Sequence, residues 1–93
     1  MIAQRLVIHG RVQGVGYRYA MVETAQAAGI VGWVRNRRDG TVEALVQGEA
    51  GAVARIVAWC RRGPPAARVA DLVITVVDGD PALDDFTHRP TEP

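Results

Sequence analysis

The residues best suited to chemistry lie together in one short stretch, residues 10–18, with the sequence GRVQGVGYR. Two glycines, Gly14 and Gly16, separate an alternating apolar run from a helical pattern. Backbone N–H groups at a helix start, with the positive end of the helix dipole, form a binding site for an anion. Glycines let successive N–H groups converge on one group of oxygens, and Arg18 adds a bidentate cation. The stretch therefore predicts a site for a tetrahedral oxyanion.

This pattern differs from the two common phosphate-binding motifs. A Walker loop needs Gly-Lys-Ser/Thr, and a dinucleotide fingerprint needs a third glycine within a parallel βαβ unit; neither is present. Two glycines before a helix are weak evidence by themselves. A tight strand-to-helix turn with a solvated Arg18 explains the spacing equally well.

A second candidate residue is Asn36, which stands between Arg35 and Arg37 before a hairpin signal. Its side-chain carbonyl could accept a hydrogen bond from a water molecule while its amide donates one. A turn asparagine that satisfies its own backbone is the competing interpretation, and on local grounds it is favoured.

The elements that position these residues follow from hydrophobic periodicity. Alternation predicts strands, and apolar residues three or four apart predict helices. Asp39-Gly40 between two alternating runs predicts a hairpin. The predicted order is β-α-β-β-α-β, a ferredoxin-like α+β sandwich whose antiparallel sheet is covered on one face by two helices. The predicted strands cover residues 5–12, 30–36, 41–47 and 68–77, the helices residues 18–28 and 49–62, and a short fifth strand over 86–89 stays open.

Length and composition limit the class of protein. Ninety-three residues predict one domain, residues 1–93, and a formal net charge of +1 gives no bulk attraction to nucleic acid or membrane. All eleven basic residues are arginine, and serine is absent, which excludes lysine Schiff bases and serine nucleophiles. A single cysteine, Cys60, and no signal-peptide pattern favour a cytoplasmic protein. A monomer is the simplest expectation.

Two separate motifs give the chain a family resemblance. Residues 10–18, followed by Gly32-Trp33-Val34-Arg35-Asn36 and Asp39-Gly40, resemble the acylphosphatase family, and the similarity continues through Trp59 and Gly63-Pro64-Pro65-Ala66. The resemblance implies an enzyme that hydrolyses acyl phosphates to a carboxylate and inorganic phosphate. It implies phosphate binding by residues of the loop and catalysis by Arg18 and Asn36, with Asn36 orienting the attacking water. The implied phosphate-binding residues are Gln13, Gly14, Val15, Gly16, Tyr17 and Arg18.

The resemblance implies no cofactor and no metal, and a small acyl phosphate as the only partner. Acyl phosphates have a carboxylate leaving group, which departs without a general acid. A non-catalytic module that senses phosphate on the same fold is the main alternative; it would not need a water-orienting Asn36. RNA binding and metal delivery use the same fold, but five scattered aromatic residues and one cysteine argue against both. Similar domains also begin larger carbamoyl-transfer maturation proteins, and we expect a free-standing enzyme here.

Overall fold

The elements of the computed structural model follow the predicted order, and the structure describes residues 1–92. The first strand begins three residues earlier than predicted, because Ile2, Ala3 and Gln4 pair with Gly48, Gln47 and Val46. The other boundaries agree with the sequence prediction to within about two residues, as is usual for element ends. The elements are β1 Ile2–Arg11, α1 Tyr17–Ala27, β2 Val31–Asn36, β3 Val42–Gly48, α2 Ala50–Arg62, β4 Arg68–Val76 and β5 Phe86–His88.

One five-stranded sheet organises the described chain, with the strand order β4-β1-β3-β2-β5. Strand β1 pairs antiparallel with β3 and β4, and β2 pairs antiparallel with β3. Helix α1 packs on β2 and β5, whereas α2 packs on β1, β3 and β4. The loop after β1 therefore lies between the side of β4 and the side of β2. This placement decides which groups can approach the loop from either direction.

The fifth strand corrects the predicted antiparallel sheet, because β5 pairs parallel with β2 and makes the sheet mixed. After β4, the chain crosses the end of the sheet at which β2 begins. Gln47 holds this crossing with two hydrogen bonds, from its Nε2 to the Asp80 carbonyl at 3.1 Å and from the Asp80 N–H to its Oε1 at 2.8 Å. The Gly32 N–H then donates to the Asp85 carbonyl at 2.9 Å. Because β5 enters at the start of β2, it has to run in the same direction.

The core lies between the helices and the sheet. Strand residues two apart face the same side, so the inward residues of β1 and β3 meet the apolar stripes of both helices. Burying side chains of this size stabilises the fold by roughly 1.5–3 kcal/mol each. The largest fully buried side chains are Tyr17, Phe86, Leu6, Ile8, Met21, Ile30, Ile56, Val12, Val34, Val42, Val46 and Val53.

The face of the sheet without helices carries an ion-pair network around Glu43. The carboxylate accepts hydrogen bonds from Arg5 Nε at 2.6 Å and Arg35 Nε at 2.7 Å, and its side chain is only 4% exposed. Burial acts to raise the pKa of Glu43, but the bonds from Arg35 and Arg5 outweigh it and hold the pKa below its ordinary value. Glu92 extends the network by pairing with Arg35 and Arg37. Two of the three arginines near Asn36 are thus engaged in ion pairs on this face of the sheet.

Candidate active site

The loop between β1 and α1 owes its shape to two glycines. Gly14 has φ 73° and Gly16, the N-cap of α1, has φ 79°, both in the left-handed region. A side chain there would strain the backbone by roughly 1 kcal/mol or more. A Cβ built at either position meets no other atom within 4 Å. Glycine is therefore required by backbone conformation and not by crowding, and the space beside the loop stays open.

Several N–H groups of the loop are available to bind a ligand. Among residues 1–92, no backbone carbonyl accepts a hydrogen bond from the N–H groups of residues 13–16. The first residues of α1, Tyr17 and Arg18, lie at the helix start, where N–H groups have no acceptor one turn earlier. No acidic residue stands in the first turn of α1. The loop thus presents adjacent donors at the positive end of a helix, which is the arrangement that binds an oxyanion.

The side chain of Gln13 holds the loop in position. Its Nε2 donates to the carbonyl oxygens of Arg37 at 2.8 Å and Thr41 at 2.9 Å, so the loop after β1 is fastened to the β2–β3 hairpin. Any contact of Gln13 with an anion would consequently come from its backbone. The hairpin supports itself, since Asp39 Oδ1 accepts from both the N–H and the hydroxyl of Thr41. In this hairpin, the polar contacts that Asn36 was expected to make as a turn residue are therefore made by the side chain of Asp39.

Asn36 ends β2 opposite Val42 of β3, and it shares the face of Val34, which is fully buried beneath α1. Among the residues that the structure describes, the buried Oδ1 atom of Asn36 has no hydrogen-bond partner, and it alone has this property. A buried acceptor without a partner costs roughly 1–3 kcal/mol, so this oxygen calls for a partner from outside the protein, such as a water molecule or a substrate. The favoured local interpretation, a satisfied turn asparagine, is wrong for this side chain.

One cleft of about 270 Å³ brings the separate motifs together. It is lined by Gly14, Gly16, Arg18 and Asn36, with Val12, Tyr17 and Tyr19 completing the wall. Within the described part of the chain, the guanidinium of Arg18 takes part in no salt bridge, as those that form involve only Arg5, Arg35 and Arg37. Arg18 therefore keeps its charge available for a ligand. Val12 and Tyr19 are the lining residues outside the predicted set, and Tyr19 was missed because an exposed aromatic residue on a helix carries no local signal.

Tyr17 joins the start of α1 to the end of α2. Its hydroxyl donates to the carbonyl oxygen of Cys60 at 2.7 Å, and its ring packs against Trp59 with centroids 5.4 Å apart. The residue four positions after Cys60 is Pro64, which has no N–H to offer that carbonyl. Burial raises the pKa of Tyr17 far above its ordinary value, so the hydroxyl remains a donor. The site loop is thus anchored on the second helix.

We expect Tyr17→Phe to lower the free energy of unfolding by about 1–2 kcal/mol, because a buried carbonyl loses its donor. Chemical denaturation followed by circular dichroism measures the change. Tyr19→Phe is the matched control, since Tyr19 is 68% exposed and its hydroxyl donates no hydrogen bond within residues 1–92. Equal stability of the two variants would show that the hydroxyl of Tyr17 contributes nothing to the anchor.

The single cysteine and the two histidines of the chain do not line the cleft. Cys60 is buried beside Met21 on the inner side of α2, and burial raises the pKa of its thiol to about 12, so it is not a nucleophile. His9 is exposed on the outer face of β1, opposite Asp71. His88 packs against Tyr19, with ring centroids 5.2 Å apart. Within residues 1–92, no group of three His, Cys, Asp or Glu side chains could hold a metal ion.

Comparison with known proteins identifies the family of the chain. The family model described as Acylphosphatase matches residues 4–88. A protein of Acidiphilium cryptum named acylphosphatase is 53% identical over 91 residues, which cover 98% of this chain and 99% of that relative. The crystal structure of acylphosphatase from Bacillus subtilis superposes with a TM-score of 0.91 at 35% identity, covering 96% of this chain and 99% of the other.

The same fold also recurs inside longer proteins. Full-length HypF, solved with phosphate and nucleotide bound, matches 97% of this chain with a TM-score of 0.86 at 25% identity, but only 12% of the HypF chain takes part. The relatives of similar length match over nearly their whole sequence. By family model, sequence and structure, this chain belongs to the acylphosphatase family.

Proposed function

We propose that the chain is an enzyme that hydrolyses acyl phosphates to a carboxylate and inorganic phosphate. One observation carries the proposal. The buried, unpartnered Oδ1 of Asn36 lines the same cleft as Arg18 and the glycine loop. A module that only binds phosphate needs the loop and the arginine, but it has no use for a costly acceptor held beside them. The cleft thus supplies both a place for the phosphoryl group and a group that can orient water.

In the proposed reaction, the N–H groups of the loop and the guanidinium of Arg18 hold the oxygens of the phosphoryl group. Asn36 Oδ1 accepts a hydrogen bond from a water molecule and directs its oxygen at phosphorus. As the new P–O bond forms, the bond to the acyl oxygen breaks and its electron pair leaves with the carboxylate. One proton of the water passes to another oxygen of the phosphate, and the second stays on the attacking oxygen. Positioning and charge stabilisation account for most of phosphoryl transfer, so these groups suffice.

The nature of the leaving group explains why so simple a site can work. A carboxylate has a pKa of about 4, whereas a phenol has a pKa of about 10. The carboxylate therefore departs without a general acid, and we propose that the reaction uses no cofactor. A phosphate ester in the same cleft would have to expel a much more basic oxygen, so we expect it to react far more slowly.

We propose that the reaction takes place in the cytoplasm, without a nucleic acid or a membrane as partner. We also propose that the enzyme acts as a monomer on a small free substrate, since a cleft of about 270 Å³ is of a size for a phosphoryl group. The guanidinium groups of Arg35 and Arg89 lie over the ring of Trp33, 4.9 and 4.8 Å from its centroid, so this ring is not offered to a nucleic-acid base. The buried, unpaired Cys60 suits a cytoplasmic enzyme. Neither helix within residues 1–92 is long and apolar enough to cross a membrane.

The experiment follows the hydrolysis of benzoyl phosphate by its ultraviolet absorbance with a chelator present. We expect turnover of the anhydride, and turnover of an aryl phosphate ester at least about 100-fold slower, since its leaving group is a base about 6 pKa units stronger. Inorganic phosphate should inhibit competitively. Folded protein that binds phosphate yet does not hydrolyse benzoyl phosphate would favour the phosphate-sensing module instead.

A further inference from the structure

A second cleft, of about 580 Å³, adjoins the start of α1 on the side away from Asn36. Its floor is apolar, formed by Ala20, Trp59 and the Pro64-Pro65 turn, with Ala67 and Gly63 alongside. Two arginines stand at its rim, Arg62 at the end of α2 and Arg68 at the start of β4. A volume of this order accommodates a small organic group. The cleft thus combines an apolar surface, suited to a hydrocarbon group, with two positively charged side chains.

The two clefts are close enough to hold one substrate. Arg18, which lines the phosphate cleft, and Ala20, which lines the second, are about 3 Å apart along the axis but lie on opposite sides of the helix, so a substrate that uses both clefts has to pass over the start of α1. Tyr17 separates them, since it lines the first cleft while its ring packs on Trp59 and lies against Gly63. A group attached to a phosphate in the loop can therefore reach the second cleft across the first turn of α1.

The order of strands, combined with the proposed in-line reaction, indicates a direction for the leaving group. In the proposed reaction, water attacks from Asn36 at the end of β2, and the attacking and leaving oxygens lie roughly in line through phosphorus. The loop follows β1, whose neighbour on the other side is β4. The acyl group therefore departs toward the start of β4, where Arg68 stands.

Unpaired charge supports an anionic occupant. Within residues 1–92, neither Arg62 nor Arg68 forms a salt bridge. Arg68 also lies directly opposite Arg11 in the β1–β4 ladder, although like charges facing each other across strands destabilise a sheet. The acidic residues of the 78–85 segment, Asp78, Asp80, Asp84 and Asp85, lie at the other end of the sheet. At the end that holds the phosphate loop, the acidic residues Asp39 and Asp71 are outnumbered by arginines that form no salt bridge within residues 1–92, namely Arg11, Arg18, Arg38, Arg62 and Arg68.

The geometry points to the second cleft as a subsite for the acyl group, in which Arg62 and Arg68 bind a carboxylate at the far end of that group. The enzyme therefore prefers acyl phosphates of dicarboxylic acids over those whose acyl group is neutral. This inference rests on the proposed function and adds a preference to it. Arg62 and Arg68 are residues of specificity and take no part in the bond changes at phosphorus.

The test compares two substrates that differ only in the second carboxylate, 4-carboxybenzoyl phosphate and benzoyl phosphate. Phosphate release at low, fixed ionic strength gives kcat/KM for each. We expect wild type to favour the carboxylated substrate about fivefold, a modest factor because ion pairs at exposed arginines are weak. In the double variant Arg62→Gln/Arg68→Gln, the ratio falls to about one. Arg55→Gln removes an exposed arginine in the middle of α2, outside both clefts, and keeps the wild-type ratio.

Three results would overturn the subsite. They are a wild-type ratio of one or less, an unchanged ratio in the double variant, and an equal fall in Arg55→Gln, which would assign the preference to overall charge. Each of them leaves hydrolysis of benzoyl phosphate in place. A wild-type protein that hydrolyses neither substrate overturns the proposed function itself, so the two failures are distinguishable.

Discussion

Replacing Arg18 by alanine is expected to lower kcat/KM for benzoyl phosphate by about 10³-fold, in the range seen when an arginine that stabilises a phosphoryl transition state is lost. Arg18 lines the phosphate cleft, and no salt bridge within residues 1–92 competes for it. The inhibition constant for inorganic phosphate should rise as well, because the same guanidinium binds the ground state. Steady-state kinetics with phosphate as a competitive inhibitor measures both quantities.

Arg38→Ala is the matched control for Arg18→Ala. Arg38 is an exposed arginine in the β2–β3 hairpin at the same end of the sheet, and it does not line the cleft. Losing a distant charge affects only the attraction of the anionic substrate, an effect that salt screens. We expect a change of less than about threefold. A comparable loss in both variants would mean that Arg18 acts by general attraction and not by contact.

The order of elements was predictable from local patterns, but their lateral placement was not. Alternation in β1 and β3 and helical spacing in α2 are properties of neighbouring residues, so the sequence carried them. The direction of β5 depends on Gln47 holding Asp80, 33 residues away. A local sequence pattern cannot reveal a contact between residues so far apart in the chain. The sheet was therefore predicted as antiparallel.

The residues of the candidate site also fall into those that a local sequence pattern could predict and those that it could not. The glycine loop was recognisable because its φ angles are a local requirement of Gly14 and Gly16. For Asn36 the local evidence favoured a turn role, and only the family resemblance indicated a catalytic one. The structure supplied what neither could, an Oδ1 atom buried without a partner. The side chain of Gln13, 24 and 28 residues from its acceptors, was likewise beyond a local prediction.

The end of the chain connects the ion-pair network to the site. The N–H of Arg89 donates to the Val34 carbonyl and that of Glu92 to the Asn36 carbonyl, at 2.9 and 3.0 Å, so β2 stays hydrogen-bonded along its edge beyond β5. The carboxylate of Glu92 pairs with Arg35 and Arg37 on either side of Asn36. The backbone of Asn36 is thus held firmly while its side-chain oxygen stays unpartnered. Such rigidity suits a residue whose task is to aim a water molecule.

Replacing Asn36 by alanine is expected to move activity and stability in different directions. We expect kcat for benzoyl phosphate to fall by about 10²–10³-fold, the loss typical of removing one well-placed polar group from an active site. The inhibition constant for phosphate should change little, because the loop and Arg18 remain. The free energy of unfolding should stay the same or rise by up to about 1 kcal/mol, since the variant removes a buried acceptor that has no partner.

Gln13→Ala provides the contrast that makes the stability result informative. Its amide satisfies the Arg37 and Thr41 carbonyls, so its loss should lower the free energy of unfolding by about 1–2 kcal/mol. Denaturation curves and kinetics of both variants are measured together. If Asn36→Ala destabilised the protein as much as Gln13→Ala, Asn36 would be a structural residue and its oxygen would have a partner in solution. If Asn36→Ala kept full turnover, the water would be positioned by some other group, and the strongest argument against a purely sensing module would be lost.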